Sequence, residues 1–150
     1  MKLGESLSKL KKERTRLARL ISLRKDNVYV EEGKESMFDP KGLGEEINKK
    51  IEEIRKLKIA IQRTNLQTEI KDEEMTLAEA IIKVNDLRSR IKEMSELFEK
   101  ERSYLYKEEK SMVAQLDAQD VEDEIQELEA DKVQLDNKIQ MTNWITILEE

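Results

Sequence analysis

The sequence feature that most constrains the fold is an internal repeat. Residues 61–70 return at residues 139–148, where five of the ten aligned positions are identical. These identities are one isoleucine, one glutamine, one asparagine and two threonines. Self-similarity on this scale is typical of a structural unit that the chain contains more than once.

The beginnings of the two halves agree as well. Residues 1–23 align with residues 75–97 at seven identical positions, and further apolar residues face each other between them. The chain of 150 residues is therefore predicted to be one helical domain, with one hairpin in residues 1–74 and a second hairpin in residues 75–150.

Apolar residues recur at alternating spacings of three and four, which indicates amphipathic helices. The first three helices are predicted over residues 2–25, 41–65 and 76 to about 107, and the fourth helix from Val121 to Asn143. The predicted core residues include Leu3, Leu7, Leu10, Leu17 and Ile21 in the first helix, and Leu77, Ile81, Val84 and Ile91 in the third.

Two helix starts carry local signals. Asp39 and Pro40 suit the N-cap and first position of the second helix. Thr76 and Glu79 have the spacing of a capping box at the start of the third. The expected fold class is all-α, with two tandemly repeated antiparallel helical hairpins forming an elongated four-helix, coiled-coil-like bundle.

Composition excludes several kinds of chemistry. The chain has no cysteine and no histidine, so it lacks a thiolate nucleophile, the usual general base at neutral pH and the commonest zinc ligand. No catalytic residue, cofactor-binding residue or metal ligand is predicted, and the protein is not expected to be an enzyme. The beginning of the chain lacks an apolar signal-peptide region, and no apolar stretch is long enough to span a membrane. A cytoplasmic location without membrane contact is expected.

Charge is divided along the chain. Residues 1–25 carry nine cations and two anions, a net charge of +7, whereas residues 117–136 carry nine anions and one cation, a net charge of -8. The first and last helices are therefore expected to lie near one another, in the same chain or in a partner subunit. No nucleic-acid binding is expected, because the whole chain is acidic with a pI near 5.1.

Two arginines, Arg14 and its repeat partner Arg88, interrupt the predicted seams. Each could pair with a carboxylate of a neighbouring helix and thereby fix the register of packing. The simpler interpretation is that both side chains cover apolar surface while their guanidinium groups reach water.

The repeated segments end in short polar residues. Thr64 and Asn65, like Thr142 and Asn143, are interpreted as helix caps, with a ligand or subunit contact as the alternative. Trp144, the only tryptophan, lies in an apolar run and is either a packed anchor or part of an interface.

The order of several short segments resembles the septicolysin-like family of small bacterial proteins. These segments are Met1-Lys2-Leu3, Arg63-Thr64-Asn65, Thr76-Leu77-Ala78-Glu79-Ala80 and Thr142-Asn143-Trp144. The family has no established activity, although its name implies a haemolysin.

Two functions follow as expectations. The first is a non-enzymatic, self-associating scaffold or interaction protein, since several apolar residues lie outside the predicted seams and favour a homo-oligomer; an unknown protein partner is the other possibility. These residues are Leu20, Leu23, Ile51, Ile59, Leu87, Met94 and Leu97. The alternative is a membrane-active cytolysin, which rests only on the family resemblance.

Overall fold

The computed structural model describes residues 1–99 and 113–149, and within them the fold is all-α. Its four helices are α1 (Leu3–Asp26), α2 (Pro40–Gln67), α3 (Leu77–Ser95) and α4 (Ala118–Ile145). No β-strand is present in these two segments, where the only extended pairing consists of two isolated β-bridges. The prediction of an all-α fold built from helical hairpins is confirmed.

The chain forms two compact units. Unit 1 contains Met1–Thr68 and Asn143–Glu150, and unit 2 contains Glu69–Thr142. Helices α1 and α2 pack together as the hairpin of unit 1. In unit 2, ion pairs join α3 to the part of α4 that precedes Asn143.

Both predicted helix starts are present. The Asp39 carboxylate accepts hydrogen bonds from the amides of Lys41 and Gly42, at 3.1 and 3.0 Å. Proline follows at the first helical position, where a missing N–H costs no hydrogen bond. At α3, the Thr76 amide donates to Glu79 Oε2 at 2.7 Å, and the Glu79 amide donates to the Thr76 hydroxyl at 3.3 Å.

The buried face of α1 differs from the predicted seam. Leu7 and Ile21 are exposed, while Ser6 and Glu13 are buried. The inward positions of α1 are Leu3, Ser6, Leu10, Glu13, Leu17 and Leu20. Spacings of three and four residues alternate in both the predicted and the observed face. The observed face begins with a spacing of three, from Leu3 to Ser6, whereas the predicted face began with a spacing of four, from Leu3 to Leu7. The prediction failed because two inward positions hold polar residues, so the apolar residues alone favoured a face rotated by about one position.

Helix α3 shows the same rotation. Its inward residues are Leu77, Ala80, Val84, Leu87, Ile91 and Met94, whereas Ile81 and Arg88 are exposed. Of the residues that the sequence placed outside the seams, Met94 is buried, and Leu20, Leu23 and Leu87 are half-buried. The surplus of apolar residues that favoured self-association is smaller than predicted.

The helix ends also differ. Helix α2 continues to Gln67, with Thr68 as its C-cap, and α4 continues to Ile145. Helix α3 ends at Ser95 and is followed by turns, so it is shorter than predicted. The remainder of the predicted third helix, residues 100–107, lies outside the described residues.

Each unit contains one β-bridge at a helix start. In unit 1, Lys2 pairs with Ile147: the Leu148 amide donates to the Met1 carbonyl and the Leu3 amide to the Thr146 carbonyl, both at 2.9 Å. In unit 2, Glu69 pairs with Thr76, and the Ile70 amide donates to the Met75 carbonyl at 3.0 Å. The bridges join aligned positions of the sequence repeat, and they bury Leu3 with Leu148 in unit 1 and Leu77 with Ile70 in unit 2.

Candidate interaction surfaces

Glu13 is buried between the helices of unit 1. It occupies the position before Arg14, which the sequence placed in the seam. Its carboxylate lies 2.8 Å from Lys50 Nζ on α2 and 2.7 Å from Arg16 Nη1. Among the described residues, Oε2 of this buried carboxylate accepts no hydrogen bond of regular geometry, and the Lys50 ammonium is its ion-pair partner. Contact with Lys50, helped by Arg16, lowers the pKa of Glu13 below its ordinary value, although burial acts in the opposite direction.

The two predicted seam arginines are both exposed. No ion pair of the described residues includes Arg14, whereas Arg88 Nη2 lies 3.4 Å from Asp136 Oδ1. The interpretation that buries these arginines to fix the register of packing is wrong for both copies, because the inward face is rotated away from them. The simpler interpretation, in which the guanidinium groups reach water, agrees with their exposure. An exposed pair such as that of Arg88 contributes little to stability.

Thr64 and Thr142 are buried within their helices. Each hydroxyl donates to the carbonyl four residues earlier, Thr64 to Ala60 at 2.9 Å and Thr142 to Lys138 at 2.8 Å. The Thr64 hydroxyl also accepts from the Glu149 amide at 3.0 Å, so it holds the C-terminal segment against α2.

Asn65 and Asn143 are not helix caps. Each lies inside its helix, two residues before the helix ends at Gln67 or Ile145. Asn65 is buried and Asn143 is half-buried.

Trp144 packs against the first turn of α1. A β-carbon at Gly4 would lie 3.0 Å from indole atoms Cδ2 and Cε3, which is closer than ordinary van der Waals contact. A β-carbon at this position would therefore push the indole by a few tenths of an ångström, and Gly4 is buried. Sequence reasoning missed Gly4; its only signal was a glycine inside a predicted helix, where alanine would be favoured by about 1 kcal/mol.

An exposed apolar group surrounds this contact. Met1, Trp144, Ile145 and Ile147 are 47%, 53%, 74% and 63% exposed. Ile147 pairs with Lys2, which follows Met1, and Trp144 lies on the α1 backbone at Gly4, so these residues lie at the same end of unit 1. We call these four residues the end patch. The first repeat has Leu66, Gln67 and Glu69 at the positions that correspond to Trp144, Ile145 and Ile147.

The charge division predicted from the sequence coincides with the structural units. Unit 1 contains 17 cations and 13 anions, a net charge of +4, while unit 2 contains 11 cations and 21 anions, a net charge of -10. The basic helix α1 belongs to unit 1 and the acidic segment 117–136 to unit 2.

Unit 2 has a shallow groove of about 180 Å³. It is lined by Glu73, Lys83, Leu87, Asp131, Gln134 and Leu135. Beside it, Lys138 forms an ion pair with Glu73, and contact with this lysine lowers the pKa of the Glu73 carboxyl. The Glu73 carboxylate in the groove lining is therefore already paired with a lysine beside the groove.

Within residues 1–99 and 113–149, no cluster of three or more acidic side chains could hold a metal ion. The helices in those segments are all too short or too polar to cross a lipid bilayer.

Comparisons with known proteins give a family and a fold. Residues 10–148 match DUF6847, described as a family of unknown function. The crystal structure of a functionally unknown conserved protein from Corynebacterium diphtheriae is similar to this chain, with a TM-score of 0.88 and 30% sequence identity. The similarity covers 99% of each chain. Among curated proteins, none matches the sequence.

The resemblance to septicolysin-like proteins is wrong, because the matches are to DUF6847 and to a protein of unknown function. The segments that suggested it are only three to five residues long, so they contain little information about a family. The cytolysin alternative rested on that family alone and loses its basis.

Proposed function

We propose that this chain, which belongs to the DUF6847 family of unknown function, is a non-enzymatic protein that works by self-association through the end patch. The observation that carries the proposal is the exposure of three large apolar side chains, Trp144, Ile145 and Ile147, within four consecutive positions at one end of unit 1. Clustered apolar side chains on a protein surface are typical of sites that contact other proteins.

The local structure supports an ordered contact surface. Backbone hydrogen bonds from Leu148 to Met1 and from Leu3 to Thr146 fix the segment that carries Ile147. The Glu149 amide is bound to Thr64, and the indole of Trp144 rests on Gly4. A surface that is ordered before association loses less conformational entropy when it binds. Aromatic residues such as tryptophan often contribute much of the binding energy.

Sedimentation analysis of the purified chain across micromolar concentrations tests the proposal. We expect oligomers for the natural sequence and predominantly monomers for Ile145→Lys with Ile147→Lys, which place two cations in the contact. Ile82→Lys is the matched control, since Ile82 in unit 2 is 60% exposed and lies outside the end patch. A natural chain that stays monomeric at all these concentrations contradicts the proposal. Self-association of the double variant with the same dissociation constant as the natural chain contradicts the role of the end patch.

A further inference from the structure

We infer that two copies of the chain also contact each other head to tail, through a basic face of α1 in one copy and an acidic face of α4 in the next. This inference rests on the proposed self-association and identifies a second contact surface for it. The occupant of each face is thus a second copy of the same protein.

The basic face consists of Lys9, Lys12, Arg16 and Arg19, which we call the basic stripe. Their spacings of three, four and three place them along one side of α1 over about 15 Å. All four side chains are exposed. Arg16 contacts Glu13, whereas no ion pair among the described residues includes Lys9, Lys12 or Arg19.

The acidic face consists of Asp120, Glu124, Glu127 and Asp131, which we call the acidic stripe. Their spacings of four, three and four place them along one side of α4 over about 16 Å. Glu124 pairs with Arg90 at 2.7 Å. Asp120, Glu127 and Asp131 are exposed, and they form no ion pair with any of the described residues.

The two stripes have the same number of charges and nearly the same length, each follows one side of a helix, and they are opposite in sign. Each lies in the unit whose net charge has the same sign, +4 for unit 1 and -10 for unit 2. The field of each whole unit therefore favours encounter between unlike units of two copies and opposes encounter between two units of type 2.

A nucleic acid could also bind the basic stripe through its phosphates. The observations favour a second copy, because every chain presents the acidic partner surface and because the -10 charge of unit 2 repels a polyanion. Such a head-to-tail contact is heterologous when it is not reciprocated within one pair of chains, and it then continues until a ring closes or a filament forms.

Charge exchange between copies tests the inference. One variant carries Lys12→Glu and Arg19→Glu on the basic stripe, and another carries Glu127→Lys and Asp131→Lys on the acidic stripe. These substitutions leave the ion pairs of Arg16 and Glu124 in place. We expect each variant alone to raise the dissociation constant for self-association by at least about tenfold. We expect the two variants mixed in equal amounts to associate again, since each supplies the charge that the other has lost.

Lys56→Glu with Arg63→Glu is the control, because it makes the same charge change at exposed positions of α2 in unit 1. Association of this control like the natural chain supports the stripes. Equal weakening of the control, or no recovery on mixing, overturns the inference while leaving the end-patch proposal standing. Binding of a single-stranded or duplex DNA probe that is lost only in the basic-stripe variant also overturns it, in favour of nucleic acid. A monomeric natural chain defeats both proposals together.

Discussion

At the scale of single residues, the contact between Gly4 and Trp144 opposes the intrinsic preference of a helix. Gly4→Ala should lower the free energy of unfolding by about 1 kcal/mol, because overpacking against the indole outweighs the gain in helix propensity. Urea unfolding followed by far-UV circular dichroism measures the change.

In the control for this prediction, the change in stability caused by Gly4→Ala should have the opposite sign. In a Trp144→Ala background the steric conflict is gone, so Gly4→Ala should instead stabilise α1 by up to about 1 kcal/mol. The same loss of stability in both backgrounds would show that the indole is not the cause.

The ion pairs of Glu13 should make part of the folding stability depend on pH. Lys50 and Arg16 lower the pKa of its carboxyl in the folded state, so the stabilisation is complete above the ordinary value of 4.5 and is lost as pH falls through the lowered pKa. Glu13→Gln should therefore destabilise the protein at neutral pH, and this difference from the natural chain should shrink below about pH 4.5. Urea unfolding at several pH values tests this.

The adjacent Arg14→Gln is the matched control for Glu13. Because Arg14 is exposed, its replacement should change stability by no more than about 0.5 kcal/mol. A larger effect at Arg14 than at Glu13 would contradict the observed orientation of α1.

At the scale of helices and their connections, the aligned residues Thr64 and Thr142 form different hydrogen bonds. Thr64→Val removes the acceptor of the Glu149 amide and should cost about 1 kcal/mol, with faster hydrogen exchange at that amide. Thr142→Val removes only the hydroxyl contact with the Lys138 carbonyl and should cost less. Equal costs for both variants would show that the contact with Glu149 contributes nothing.

The sequence predicted helix starts better than helix faces. Asp39 and Thr76 form their capping hydrogen bonds with residues two or three positions away, so local spacing was sufficient. The face of α1 depended on which residues meet α2, and the contact of Glu13 with Lys50 is 37 positions apart in sequence. The residues between them carry no local signal for that pair. Likewise, asparagine is a residue that often ends helices, so Asn65 predicted a helix end. In the structure Asn65 is buried, and α2 continues past it to Gln67.

At the scale of the whole molecule, the sequence indicated opposite charges near its two ends, and the structure assigns them to different units. It could not indicate the end patch in full. Trp144 and Ile147 marked the more apolar second copy of the repeat as a candidate subunit contact, whereas Ile145 was recognised only as part of an apolar run. Which members of that run face inward depends on the bridge to Lys2. Leu148 is buried by that bridge, whereas Ile147 is exposed.

The charge division predicts how self-association responds to acid. Asp and Glu side chains take up protons near pH 4, whereas Lys and Arg stay charged, so the attraction between unlike units should weaken as pH falls from 7 to 4. Sedimentation across this range, with circular dichroism to verify folding, measures the effect. A maximum of association at the isoelectric point near 5.1 would instead indicate non-specific aggregation of a chain without net charge.

The position of Trp144 has a spectroscopic consequence. As the only tryptophan, it is the source of the indole fluorescence of the chain, and it lies half exposed on the end patch with one side against Gly4. Burial of its exposed side in an oligomer should shift the emission to shorter wavelengths, while loss of the Gly4 contact should shift it to longer ones. The natural sequence thus contains an internal fluorophore that distinguishes assembly from local unfolding without a label.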